Sequence, residues 1–409
     1  MGFCSLRGRP KATRPSYSRG LRSREPAPSC KAEAVAEPLQ ETPSGKPRAR
    51  SLGIVFDGEP GGWNAITDVP GVEVGYATLI EGSDVRTGVT AIHPRGPGGA
   101  LDPCAAGFHS QNGNGEMTGV SWIRESGTQA GPIAITNTSN VGVAHTGIVR
   151  WTTQHHPVTD EWWWWLLPVA AETWDGYLND MNGGSITPEV VVGALDAAAS
   201  GPIDEGSVGG GTGMNCYQFK AGTGTASRLV EHAGAMYTVG VLLQTNFGAR
   251  PELVVRGVPV GRSLTDDNPL EASYAPSGAG SVIAIVISDA PLLPNECEAM
   301  ARRVTLGLAR TGTPGSHFSG DLFLALSTGN PGGITPSALS SVGRGREHDE
   351  LRFVPWGSMD PFYEAVVRAT EEAVLDSMIA NEDMVGREGH RSPALPRDRL
   401  VGLLAAATT

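Results

Sequence analysis

The sequence predicts a layered α+β sandwich, and three observations carry that expectation. Two short runs, Tyr237–Gln244 (YTVGVLLQ) and Val282–Ile287 (VIAIVI), are almost wholly apolar, as strands are when both faces of their sheet are covered. Three other segments carry helix-start signals or helical spacing. Strand and helix signals alternate, but without the strict rhythm of βαβ units. The 55 glycines fit a β-rich fold with many tight turns and loop-built sites.

In chain order, residues 1–50 read as a tail rich in Arg, Ser and Pro. Residues 1–24 hold seven bases and no acid, and no apolar core of a secretory signal follows. Leu6 breaks the myristoylation pattern begun by Met1-Gly2. A disordered extension is expected there, with an organelle transit peptide as the alternative. Residues 51–409 read as a single globular domain. Trp162–Ala171 is too short to span a bilayer and contains Pro168, so its tryptophans are expected on a helix, partly buried in a core or subunit contact. Thr187-Pro188-Glu189 supplies an N-cap, a proline at N1 and an acid in the first turn of a helix expected over Val190–Ala199, ending at Gly201. The two apolar strands follow. Pro294-Asn295 opens a helix to about Arg310, with Gly312 beyond it. Asp360-Pro361 opens another to about Asn381, on which Phe362, Val366, Ala369 and Ala373 share one face.

Charge and cysteines narrow the function. Residues 1–50 hold 11 Lys and Arg against 4 Asp and Glu, leaving 20 against 39 in the remainder. So acidic a body repels polyanions, and no nucleic-acid or membrane partner is expected. The five cysteines form no CxxC, which suits free thiols in a reducing, cytoplasmic setting.

The nine histidines include no HExxH, and no metal or other cofactor is expected. The glycine-dense stretch Gly209–Gly213 matches neither a P-loop nor a dinucleotide fingerprint. No serine has glycine at both −2 and +2, so the nucleophile elbow is absent, although a Ser-His-Asp triad assembled from distant residues stays open. A serine at a chain terminus needs no histidine, because its own α-amine, with a pKa of about 7.7–8.0, can act as the base. Such a terminus is made by self-cleavage. Small residues Pro276–Gly280 running into Ser281 at the head of an apolar strand have the required form, and Gly280 leaves its carbonyl open to attack. Glycine before a strand is common, so this pattern alone is weak.

Longer blocks strengthen it. PRARSLGIVFDGEPGGWNAITDVPGVEVG (47–75), NGNGEMTG (112–119), ITNTSNVG (135–142), VGGGTGM (208–214), FKAGTGTASR (219–228), SVIAIVISDAPLLP (281–294), SGDLFLALST (319–328), EAVVRATEEAVLDS (364–377) and ALPRDRL (394–400) occur in consistent order. Through them the chain, from Pro47 to about Leu400, resembles the L-aminopeptidase/D-esterase (DmpA-type) peptidases and their β-aminopeptidase relatives.

The resemblance implies a four-layer αββα sandwich, self-cleaved at Gly280–Ser281 into an α chain ending at 280 and a β chain of 281–409, with the cleaved units assembled into a homo-oligomer. It implies Ser281 as nucleophile, with Ser319 and Asp321 of Ser-Gly-Asp beside it; the local alternative for those two is a capped turn before a strand at Leu322–Leu326. It implies Asn246 as an oxyanion donor, otherwise an ordinary turn residue at a strand end. Glu172 falls in the family's acidic pocket block, where a carboxylate would bind a substrate ammonium. Trp174 stands where the family often has a tyrosine whose hydroxyl assists at the oxyanion, and Tyr177 lies near enough to be weighed as a substitute. The implied substrates are small peptides, amides or esters cut through an acyl-enzyme. β-Amino-acid peptides and aminohexanoate-type oligomers are the catalytic alternative, and an uncleaved binding scaffold is the non-catalytic one. The related ornithine acetyltransferases use a threonine, against which Ser281 argues.

Overall fold

The computed structural model describes residues 37–157, 165–272, 280–335 and 347–408. Its strands in chain order are β1 (Glu73–Glu81), β2 (Val85–His93), β3 (Cys104–Ser110), β4 (Thr128–Gln129), β5 (Ile133–Asn137) and β6 (Val169–Thr173). They continue with β7 (Asn215–Cys216), β8 (Phe219–Lys220), β9 (Thr223–His232), β10 (Ala235–Asn246), β11 (Gly280–Ser288) and β12 (Ser319–Ser327). The helices are α1 (Glu37–Gln40), α2 (Val120–Ser126), α3 (Val141–His155), α4 (Pro188–Asp196), α5 (Pro294–Arg310), α6 (Asp360–Ile379) and α7 (Arg397–Thr408).

The four-stranded sheet runs β1-β2-β5-β6 and the six-stranded sheet β4-β3-β12-β11-β10-β9, with two small ladders besides, β7–β8 and Met384–Val385 with Arg391–Ser392. Strand β11 explains the layering. Its Ile283, Ile285 and Ile287 join Ile92, Ile133, Ile135 and Val169 in a core between the two sheets. Its Val282, Ala284 and Val286 point the other way, into a core shared with α5 and α6. The outer face of the four-stranded sheet is covered by α3 and α4. The order is helix, sheet, sheet, helix, so the αββα expectation holds. An all-apolar strand is the sequence signature of this burial on both faces.

Two parallel pairs in this largely antiparallel fold set the site. Helix α5 returns the chain from β11 to β12, and α3 returns it from β5 to β6, each as a crossover. The starts of β11 and β12 therefore lie side by side, Gly280 opposite Ser319 and Ser281 opposite Gly320. The ends of β5 and β6 lie side by side in the other sheet, Asn137 opposite Thr173, and β6 packs against β11.

Three expectations need correction. The domain starts earlier than residue 51: Thr42, Arg48 and Ala49 are buried, and Arg48 reaches Glu205 at 2.8 Å and Asp376 at 3.2 Å. Helix α4 stops at Asp196 rather than Ala199, because Ala199 leaves the helix to exchange backbone hydrogen bonds with Val74 on β1. The expected helix around the tryptophans is not seen at 165–168, where Trp165 and Leu167 are exposed ahead of β6; Trp162–Trp164 lie outside the described residues. Among the described residues, no helix is long and apolar enough to cross a membrane.

The early segment is tied down by buried charge. Glu372 on α6 accepts from Arg50 at 2.5 Å, Asn64 at 2.7 Å and Arg228 at 2.6 Å. Burial alone would raise the Glu372 pKa, but the guanidiniums, Arg228 foremost, hold it below the usual carboxylate value. Glu372→Ala strands two arginines, and a loss of about 3–5 kcal/mol is expected for breaking such a buried pair, read from the urea unfolding midpoint.

Candidate active site

The start of β11 is hemmed in by backbone. A Cβ at position 280 would meet the Asn246 carbonyl oxygen at 2.0 Å, so only glycine fits there. Ser281 is buried, sits opposite Asn246 across the antiparallel β10–β11 pair, and accepts a hydrogen bond at Oγ from the Trp174 N–H at 3.2 Å. Among the described residues no histidine is hydrogen-bonded to Ser281. Asn246 accepts at Oδ1 from the Asn215 N–H at 3.2 Å, which fixes its amide plane. Its Nδ2 is buried with no partner among the described residues. A buried amide donor left open in this way can receive negative charge that develops beside it.

Ser319 and Asp321 stand on β12, one strand over. The Ser319 hydroxyl donates to Asp321 Oδ1 at 2.5 Å. Both belong to the strand itself, so the alternative of a capped turn before Leu322 is not what forms. Burial raises the Asp321 pKa, opposed by hydrogen bonds from Ser319 and Asn112.

Glu172 ends up beside these groups because β6 points its end at the same place. It is buried, and it accepts from the Glu116 N–H at 2.9 Å and from the Thr138 hydroxyl. Burial raises its pKa too, with Thr138 and Glu116 pulling it down. Gly115 joins it to the serine side: a Cβ there would lie 3.0 Å from Gly320 Cα and 3.2 Å from Glu172 Oε1. Two residues further on, Trp174 serves Ser281 through its backbone N–H, a contact that does not depend on the side chain, while its half-exposed ring lies over Gly176. Tyr177 is engaged elsewhere, donating to the Arg391 carbonyl at 3.1 Å and stacking on His390, and so does not stand in for a tyrosine at 174.

All seven expected residues, Gly280, Ser281, Ser319, Asp321, Asn246, Glu172 and Trp174, thus belong to one connected cluster. Sequence reasoning missed its supports. Asn112, Thr138 and Asn215 were legible only as members of the blocks NGNGEMTG, ITNTSNVG and the glycine-rich stretch's continuation. It also missed Asp175, fully buried and accepting from Asn179 at 3.1 Å and Asn137 at 3.3 Å, whose pKa burial pushes up to about 7.

Fold and site together define a hydrolase on a variant of the N-terminal-nucleophile (Ntn) hydrolase fold. The chain belongs to peptidase family S58, matched over residues 64–392. It is 44% identical over 376 residues to the β-peptidyl aminopeptidase BapA of Sphingosinicella microcystinivorans, covering 88% of this chain and 92% of that one. Among solved structures, the L-aminopeptidase D-Ala-esterase/amidase of Ochrobactrum anthropi superimposes with a TM-score of 0.82 at 43% identity, covering 89% of this chain and 99% of that one. A β-aminopeptidase of a Burkholderia species gives a TM-score of 0.81 at 42% identity, covering 88% and 98%.

The Asp175 carboxyl has a consequence for stability. Its value in the folded chain, about 7, lies above the ordinary 3.8, so between these the native state holds a proton that the unfolded state has lost. Its contribution is fully present below about pH 4 and is lost as pH rises through about 7. Melting temperatures across that window should fall more steeply for wild type than for Asp175→Asn.

Proposed function

We propose that the chain is a self-processing aminopeptidase that cuts itself between Gly280 and Ser281 and then releases N-terminal residues from small peptides, amides or esters. The observation that carries this reading is the setting of Ser281: it heads a buried strand opposite Asn246, whose Nδ2 has no partner among the described residues, and beside the strand start that holds the Ser319–Asp321 pair. In the first reaction Ser281 Oγ attacks the Gly280 carbonyl, the amide becomes an ester by N-to-O shift, and water releases it. The freed α-amine then takes the Oγ proton as base. Oγ attacks the substrate carbonyl, the Asn246 Nδ2–H donates to the oxyanion, the leaving amine departs with the proton, and water hydrolyses the acyl-enzyme. Asp321 orients Ser319 beside the α-amine, and Glu172 binds the substrate ammonium by a charge-assisted hydrogen bond.

The second reading, hydrolysis of β-amino-acid peptides, draws support from the two relatives named for β-peptides. The relative named an L-aminopeptidase is about as similar, so identity does not favour either class. Competing turnover of α- and β-amino-acid p-nitroanilides decides between them. The same proposal includes a homo-oligomer of cleaved α/β units in the cytoplasm, supported on the second point by buried free thiols at Cys104, Cys216 and Cys297. An organelle is the alternative if residues 1–50 include a transit signal.

Two outcomes test the core of the proposal. Intact mass spectrometry should find two fragments in wild type, the smaller beginning at Ser281, and one whole chain in Ser281→Ala; whole chains in both would sink it. Asn246→Ala should lower kcat by about 100- to 1,000-fold with KM little changed, as removal of an oxyanion donor does elsewhere. A wild-type kcat in that variant would remove Asn246 from the chemistry.

A further inference from the structure

Resting on that reading of Ser281, we propose that Asn112 is a positioning residue for the reaction, acting through Asp321. Its side chain uses both ends of the amide on one acid. Oδ1 accepts from the Asp321 N–H at 2.8 Å, and Nδ2 donates to Asp321 Oδ2 at 3.1 Å and to the Ser316 carbonyl at 2.9 Å. Ser319 occupies the other carboxylate oxygen, so Asp321 is pinned at Oδ1 by the hydroxyl and at Oδ2 by the amide. Without Asn112 the carboxylate is free to turn about its Cβ–Cγ bond, and the direction of the Ser319 hydroxyl turns with it. That hydroxyl stands on the residue paired with Gly280, whose carbonyl belongs to the bond to be cut.

The residue type is demanding. An amide of this length offers a donor and an acceptor to the same neighbour, aspartate offers acceptors and a like charge, and alanine offers neither. The loop that carries Asn112 is itself braced across the site. Gln111 N–H donates to the Asp321 carbonyl at 3.0 Å, and Asn114 Nδ2 donates to the Phe318 carbonyl at 2.8 Å. Gly115 packs on Gly320, and Glu116 N–H holds Glu172. One short loop thus touches both carboxylates of the site.

The groups acting on Asp321 are the Ser319 hydroxyl, the Asn112 amide and a backbone contact with Val282, all favouring the ionised form against its burial. Glu172 lies beyond Gly115 and Gly320, and cleavage would add the α-amine of Ser281. Removing the Asn112 donor therefore moves protonation of Asp321 to higher pH.

The test is the pH profile of kcat and KM for wild type, Asn112→Ala, Asn112→Asp and Asn114→Ala. The probe is whichever of L-alanine and β-alanine p-nitroanilide wild type turns over faster. Both Asn112 variants should lose about tenfold or more in kcat with KM shifted far less, and the acid limb of kcat should move up by about half a pH unit or more. Asn114→Ala, which cuts a bond of the same loop without touching either acid, should keep the wild-type limb. Folded Asn112 variants with the wild-type rate and limb would overturn the proposal, as would equal losses in Asn112→Ala and Asn114→Ala with no shift of the limb. If Asn112→Ala does not fold, Asn112→Asp, nearly identical in shape, decides. An active wild type with unaffected variants removes the role of Asn112 alone, whereas a wild type that neither cleaves nor turns over either probe removes the Ser281 reading as well.

Discussion

The site depends above all on the parallel pairing of β11 with β12. Antiparallel neighbours would bring the start of one strand beside the end of the other, and Ser281 and Ser319 would stand a full strand length apart. The α5 crossover instead aligns the two starts, so Gly280 meets Ser319 and Ser281 meets Gly320. Burial of both faces keeps that register from slipping, because a one-residue shift would exchange every side chain between the two cores. The second parallel pair, β5–β6, delivers Glu172 and Trp174 to the same place from the opposite sheet. The serines and Glu172 are thereby placed by strands, with the loop of Asn112 bracing the acids between them.

Much of this was legible in the sequence, for identifiable reasons. Strands β10 and β11 and helices α5 and α6 announced themselves through apolar runs and cap residues, since burial on two faces and the opening turn of a helix both constrain local composition. The sharpest site signal was glycine followed by serine at a strand start, and it gained weight only from the blocks around it. What stayed hidden was long-range. Arg48 and Arg50 look like tail charges until Glu205, Asp376 and Glu372 appear opposite them, more than 150 residues away. Asn112 looks like a turn residue in a glycine-rich loop, because nothing near it in sequence names Asp321 as its partner. The end of α4 was misjudged for a similar reason: helix propensity continues through the alanines, and a tertiary bridge to Val74 overrides it.

The tryptophan at 174 keeps one link to the site whatever its ring. Its contact with Ser281 runs through the peptide N–H, which any residue but proline supplies at that point of the chain. The indole is turned aside over Gly176, so a change of ring there leaves the backbone contact to Ser281 in place.

The segment around Arg48 has a further meaning once the chain is divided at residue 280. Arg48 and Glu205 would belong to one polypeptide and Asp376 to the other, while β10 and β11, hydrogen-bonded neighbours, would also belong to different polypeptides. Ends that one continuous chain brings together would then have to find each other by diffusion. Maturation of this kind is a one-way door. A molecule so processed would keep a shape it acquired while whole, its two halves would be held by a shared core and by buried charge, and its persistence would become a matter of how slowly that core opens.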